Sequence, residues 1–139
     1  MRPSLIYELL NMDVSLKTKL GGADRILEAQ SVDQRWCDTG CMITLNMAEM
    51  DMRSIGKGPR TLEVNVHQPW DESRDYTKID EILFRVDKLL LPVENEIGSD
   101  NVRVSQIRRL GRSGNQTDEA WRTITRQATY GVLWAEYLL

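Results

Sequence analysis

In Arg60-Thr61-Leu62-Glu63-Val64-Asn65-Val66-His67, polar and apolar side chains alternate from Thr61 onward. Successive side chains in a strand point to opposite faces. Leu62, Val64 and Val66 therefore face one way, and Thr61, Glu63 and Asn65 the other. A strand apolar on one face only belongs to an antiparallel sheet with one wet side. A one-residue slip would turn the whole apolar set into solvent, so the register is well specified.

Cys41 to Met50 reads the same way, with Ile43, Leu45 and Met47 alternating with Met42, Thr44 and Asn46. The two strands predict a hairpin. Their connector, residues 51–59, is polar and holds Gly56, Lys57, Gly58 and Pro59. It is longer than the usual hairpin loop, and long loops often carry contacts to partners.

Downstream, Ile79, Ile82, Leu83, Val86, Leu89 and Leu90 recur at three- and four-residue spacing and predict a helix over 75–91. Ser73 or Asp75 caps it, Glu81 and Arg85 pair on its wet face, and Pro92 ends it. Val102 to Leu110 reads as a strand whose alternation slips near Gln106, which predicts a bulge. Residues 111–120 read as a polar turn region. Trp121 to Trp134 reads as a long strand, with Ile124, Ala128, Tyr130, Val132 and Trp134 on one face and Thr123, Thr125, Gln127 and Thr129 on the other.

Upstream, residues 4–12 predict a short helix with Ser4 as its cap. A second turn-like piece, Asp13 to Leu20, stops at Gly21-Gly22. Arg25 to Glu28 reads as a short strand and 29–40 as loop. The expected fold class is α+β: an antiparallel sheet of about four to five strands with two helices packed on one face, in a single domain over residues 1–139.

At 139 residues the chain is long enough to bury a core of its own. No apolar run reaches the ~20 residues of a membrane span. Residues 1–4 have no leader-like pattern, so a reducing cytoplasm is the expected setting, with Cys37 and Cys41 as free thiols. The net charge of −3 is uneven. Arg103, Arg108, Arg109, Arg112, Arg122 and Arg126 make the last segment basic on an acidic body. Such a stretch either contacts phosphate or docks on acidic neighbours and solvent; repulsion between an acidic protein and DNA favours the second reading.

The chain has no phosphate-binding glycine loop, dinucleotide fingerprint or nucleophile elbow. Two cysteines and one histidine, His67, are too few for a zinc site without carboxylates. His67 would have to carry any triad alone; at a strand end beside Pro69 it reads as structural. Asp71, Glu72 and Asp75 suit the start of a helix. Trp36, Trp70, Trp121 and Trp134 read as core or interface anchors rather than base-stacking platforms. No enzyme, cofactor or metal is expected.

The order of these elements resembles the tail terminator (tail-completion) proteins of long, non-contractile-tailed phages. The likeness lies in the opening helix Ser4-Leu5-Ile6-Tyr7-Glu8-Leu9-Leu10, the Leu20-Gly21-Gly22 stop and the strand at Arg25-Ile26-Leu27. It continues in Leu62-Glu63-Val64-Asn65-Val66 running through His67 to Trp70, the Asp71 to Asp75 turn, the helix Ile79 to Leu91 and the closing strand Arg122 to Trp134. It spans nearly the whole chain.

The resemblance implies a hexameric ring, a virion component at the head-proximal end of the tail, assembled in the host cytoplasm. Its partners would be the major tail tube protein and the head–tail connector or neck protein. Viral DNA would pass through the channel without being read, helped by an acidic lining that repels phosphate, and no membrane would be involved. A ring interface is heterologous. Exposure and charge single out Arg53 and Lys57 in the 51–58 loop and Arg112 in the 111–119 loop as tube or neck contacts. The competing readings are a neck or head-completion protein, a tail assembly factor, a nucleic-acid-binding module built on Arg103 to Arg126, and a small enzyme built on His67.

Overall fold

The computed structural model describes residues 3–22, 24–28, 40–49 and 57–136. Helix α1 (Ser4–Asn11) buries Leu5, Ile6 and Leu10. Helix α2 (Val14–Leu20) starts at Asp13, whose carboxylate accepts the Leu16 amide, and stops at Gly21 in the left-handed conformation (φ +91°). Strands β1 (Ile26–Glu28), β2 (Met42–Glu49) and β3 (Lys57–Pro69) follow. Helix α3 (Thr77–Leu90) comes next, then β4 (Glu94–Ile97), β5 (Val102–Arg112), β6 (Gln116–Asp118) and β7 (Thr123–Glu136).

The sheet runs β1-β2-β3-β7-β5-β4, and β6 pairs with β7. It curls into a half-barrel. Leu62, Val64 and Val66 pair with Tyr130, Ala128 and Arg126 on one side, and with Met47, Leu45 and Ile43 on the other. The alternation in β3 thus sets one apolar face across three strands. Helix α3 lays Ile79, Ile82, Leu83, Val86 and Leu90, all fully buried, into the same core. Each such side chain contributes roughly 2 kcal/mol by leaving water.

The expected fold class needs correction. Among the described residues there are seven strands and three helices, and the sheet is mixed. β1 pairs parallel to β2, Ile26 opposite Ile43. A parallel pair needs a crossover of a dozen residues or more, and residues 29–41 supply that length. β4 is exposed at every position, so it carries no apolar alternation to read. β6 is three polar residues inside the expected turn region, held by pairing Gln116 with Thr125 and Asp118 with Thr123. The second turn-like piece proves to be a helix.

Two local expectations also change. Ser4 does not cap α1 with its own side chain; the Ser4 amide donates to the Asp100 carboxylate (2.8 Å), so the cap comes from the β4–β5 turn. Asp75 accepts the Thr77 amide (3.0 Å) from just outside α3. The bulge expected near Gln106 is present, as a register shift between Val104 and Gln106 against β7.

Candidate interaction surfaces

The helix-covered face of the sheet carries charge as well as apolar side chains. Asp87 of α3 is 7% exposed. It accepts the hydroxyl proton of Tyr130 from β7 and the Arg112 guanidinium at 2.5 Å from β5, with Arg109 at 3.5 Å. Burial and the neighbouring carboxylate push the Tyr130 phenol well above its usual range, so it stays a donor. Arg126 of β7 pairs with Asp80, also on α3. Arg85 pairs with Asp13 at 2.6 Å, tying α3 to the start of α2. Three arginines of the basic C-terminal stretch are therefore docked on acids of α3.

This placement bears on the three residues singled out as loop contacts. Arg53 lies outside the described residues. Lys57 opens β3, opposite Ala135, and Arg112 ends β5, opposite Ala128. Those β7 partners are seven positions apart, ~23 Å along a strand, so the structure does not bring Lys57 and Arg112 together. The Arg112 guanidinium faces inward to Asp87 rather than lying on a loop.

The opposite face of the sheet holds a polar cluster. Met42, Thr44, His67, Thr123 and Thr125 are all buried there. His67 Nδ1 lies 3.0 Å from the Thr123 hydroxyl and Nε2 3.4 Å from that of Thr44. A neutral imidazole has one donor and one acceptor, which two hydroxyls can satisfy together. Burial pushes the His67 pKa down to about 4, with the Asp118 carboxylate opposing it. The turn after β6 folds Trp121 against the ring, with centroids 4.7 Å apart.

Between the sheet and this turn lies a cavity of about 470 Å³, lined by Thr44, Asn65, His67, Gln116, Thr117, Asp118, Glu119, Trp121 and Thr125. Reading His67 as a structural strand-end residue missed this cavity. The available signal was the group of hydroxyl and amide side chains sharing its face.

The tryptophans divide between core and surface. Trp134 is buried, with the Arg60 guanidinium 5.3 Å from its ring. Trp70 is partly buried, with Arg74 and Arg122 at 5.2 and 5.8 Å. Trp36 and Cys37 lie outside the described residues. Cys41 is fully buried, and desolvation pushes its thiol up to about 11. Among the described residues no three His, Cys, Asp or Glu side chains gather as a metal site, and no helix is long and apolar enough to cross a membrane.

A second cavity, about 670 Å³, lies along the β4–β5 edge between Leu91, Val93, Ile107 and Leu133. Leu91 and Leu133 are partly exposed beside it, at 39% and 43%, and Ile97 of the edge strand is 52% exposed. An edge strand with apolar side chains in water invites a neighbour. Asn95 inside β4 is left-handed (φ +51°), and the register with β5 passes over it from Glu94 to Glu96.

No family model matches the sequence, and no curated protein sequence is similar to it. Solved structures are. A chain from the virion of a native gene transfer agent particle superposes with a TM-score of 0.66 over 93% of this chain and 90% of that one, at 11% identity. A second solved chain, which carries no functional description, gives a TM-score of 0.56 at 17% identity over 100% and 99% of the two chains. At these identities the likeness establishes the fold alone: this chain shares its fold with a chain of a gene transfer agent virion.

Proposed function

We propose that the protein is a structural component of a phage-like virion that caps the tail tube as a hexameric ring, stops tube growth and presents the tail-side surface for joining to the head. The observation that carries this reading is the likeness, over 93% of this chain, to a chain of a gene transfer agent virion. It agrees with the element order that resembles tail terminators. The partners under this reading are further copies of the chain, the major tail tube protein and the head–tail connector, with DNA passing through unread.

The protein acts without catalysis in this account. His67, its one imidazole, is held between two threonine hydroxyls with its pKa lowered, a use that fits support of the sheet. Ring contacts would draw on the β4–β5 edge, where Leu91, Ile97 and Leu133 meet solvent. Arg53 and Lys57 remain the axial tube contacts. Arg112 is better left out of any charge-reversal test, because an acid there would face Asp87. The double change Arg53→Glu, Lys57→Glu is expected to weaken tail attachment in a folded protein; unchanged attachment removes both from the account.

The primary test is electron microscopy of particles made with the gene disrupted. Overlong, unjoined tubes support the capping role. Tails of normal length beside filled, unattached heads move the protein to the neck, as a head-completion or joining protein. Normal infectious particles reject both.

A further inference from the structure

The cavity over His67 is a built site that the proposed capping role does not use. Two carboxylates, Asp118 and Glu119, line it, and no Lys or Arg does among the described residues. Asp118 accepts the Trp121 amide at one oxygen (3.0 Å), so its carboxylate is held at the cavity by the turn. Thr125 lines the same space at 7% exposure, and its buried hydroxyl has no hydrogen-bond partner among the described residues. Asn65 and Gln116 add amide groups, and the Trp121 indole adds an aromatic surface.

We propose that this cavity receives an arginine side chain presented by a partner protein. A guanidinium is planar, carries five N–H donors and packs on indole surfaces. The cavity offers a matching set: carboxylate, amide and hydroxyl oxygens around an aromatic wall. A buried hydroxyl without a partner costs free energy that an incoming donor recovers. An ammonium group is a compact point charge and would reach fewer of these acceptors. The His67 imidazole that lines the cavity is uncharged near neutral pH, because burial holds it so, and it adds no repulsion toward a cation. Charge complementarity at such a site favours specificity and rate of encounter. The inference stands on the cavity alone and does not require the tail role.

The test uses the full chain and three small probes, Nα-acetyl-arginine methylamide and its lysine and citrulline counterparts, followed by amide NMR shifts. The arginine probe is expected to shift the Thr44, Asn65 and Thr125 amides and the Trp121 indole N–H saturably, with a Kd on the order of 1–10 mM for an isolated fragment. The citrulline probe, equal in shape but uncharged, is expected to bind at least ~10-fold more weakly, since the carboxylates select for charge. Asp118→Asn combined with Glu119→Gln keeps an acceptor for the Trp121 amide, so an unchanged free spectrum away from the turn shows that the fold survives; in it the arginine shifts should fall at least ~5-fold. Shifts that fail to saturate, that citrulline reproduces, that lysine exceeds, or that survive the double change overturn the proposal. So does a response to calcium ion at the same amides without one to arginine, which would make the cavity a metal site instead.

Discussion

Arg112, at the end of β5, stands 2.5 Å from Asp87 on α3, and the Tyr130 hydroxyl from the middle of β7 donates to the same carboxylate. The arginine and aspartate side chains are 18% and 9% exposed. Removing Arg112 leaves the Asp87 carboxylate, in a poorly hydrated site, with only the Tyr130 hydroxyl and the more distant Arg109 at 3.5 Å. Arg112→Ala is expected to cost about 3 kcal/mol. Arg85→Ala, which breaks the more exposed pair with Asp13 (31% and 14%), is expected to cost clearly less, because solvent screens it. Urea unfolding with an unchanged slope would measure both. Equal losses would mean that burial does not set the difference.

Acid should expose the His67 cluster. Its folded pKa of about 4 lies below the ordinary 6.5. The unfolded chain therefore binds a proton that the folded one refuses. The contribution is fully present above about pH 6.5 and is lost as pH falls through 6.5 toward 4, at no more than ~1.4 kcal/mol per pH unit. The carboxylates of Asp13 and Asp100, lowered in the fold, add an acid loss of their own as pH falls through the carboxylate range. A comparison with His67→Gln separates the two. The difference in unfolding free energy between wild type and His67→Gln should shrink between pH 7 and pH 5; a constant difference would show that the folded imidazole takes up its proton as readily as the unfolded one.

Much of the sheet is legible in the sequence because it rests on uninterrupted alternation. β2, β3 and β7 show their faces in the residue order, and even the bulge at Gln106 appears as the slip from Val104 to Ile107. The illegible parts are those that tertiary pairing creates. β4 is four exposed residues, β6 is three polar ones, and β1 acquires its direction only from β2. The Asp100 carboxylate that receives the Ser4 amide comes from 96 residues away. The docking of Arg109, Arg112 and Arg126 on α3 was one of two open readings of the basic stretch, and only the register of β5 and β7 against the helix decides it. The cavity over His67 forms when the turn after β6 closes on the sheet, which no local pattern reports.

Cys41 offers a chemical readout of the same packing. It is fully buried, and desolvation holds the thiol up at about 11. Since the thiolate is the reactive form, native protein with Cys37→Ser should be inert to a disulfide reagent at pH 8 and become stoichiometrically reactive in denaturant. Rapid labelling of the native variant would show that the β1–β2 region opens locally.

The turn between β4 and β5 sits against the start of α1, and Gly98 makes that contact possible. A Cβ at Gly98 would lie 2.6 Å from the Ser4 hydroxyl oxygen and 2.7 Å from the Leu5 amide nitrogen. Backbone cannot yield as a flexible side chain can, so Gly98→Ala must push α1 away from the turn. That would also stretch the Ser4 amide bond to Asp100 and the Ser99 amide bond to Glu8. The expected cost is about 2 kcal/mol, in the range of overpacking a close contact. Gly114, with nothing within 4 Å of its would-be Cβ, is the matched control, and Gly114→Ala should change stability by less than about 0.5 kcal/mol. Similar unfolding midpoints for the two variants would mean that α1 docks loosely and that its cap on Asp100 contributes little to holding the helix layer on the sheet.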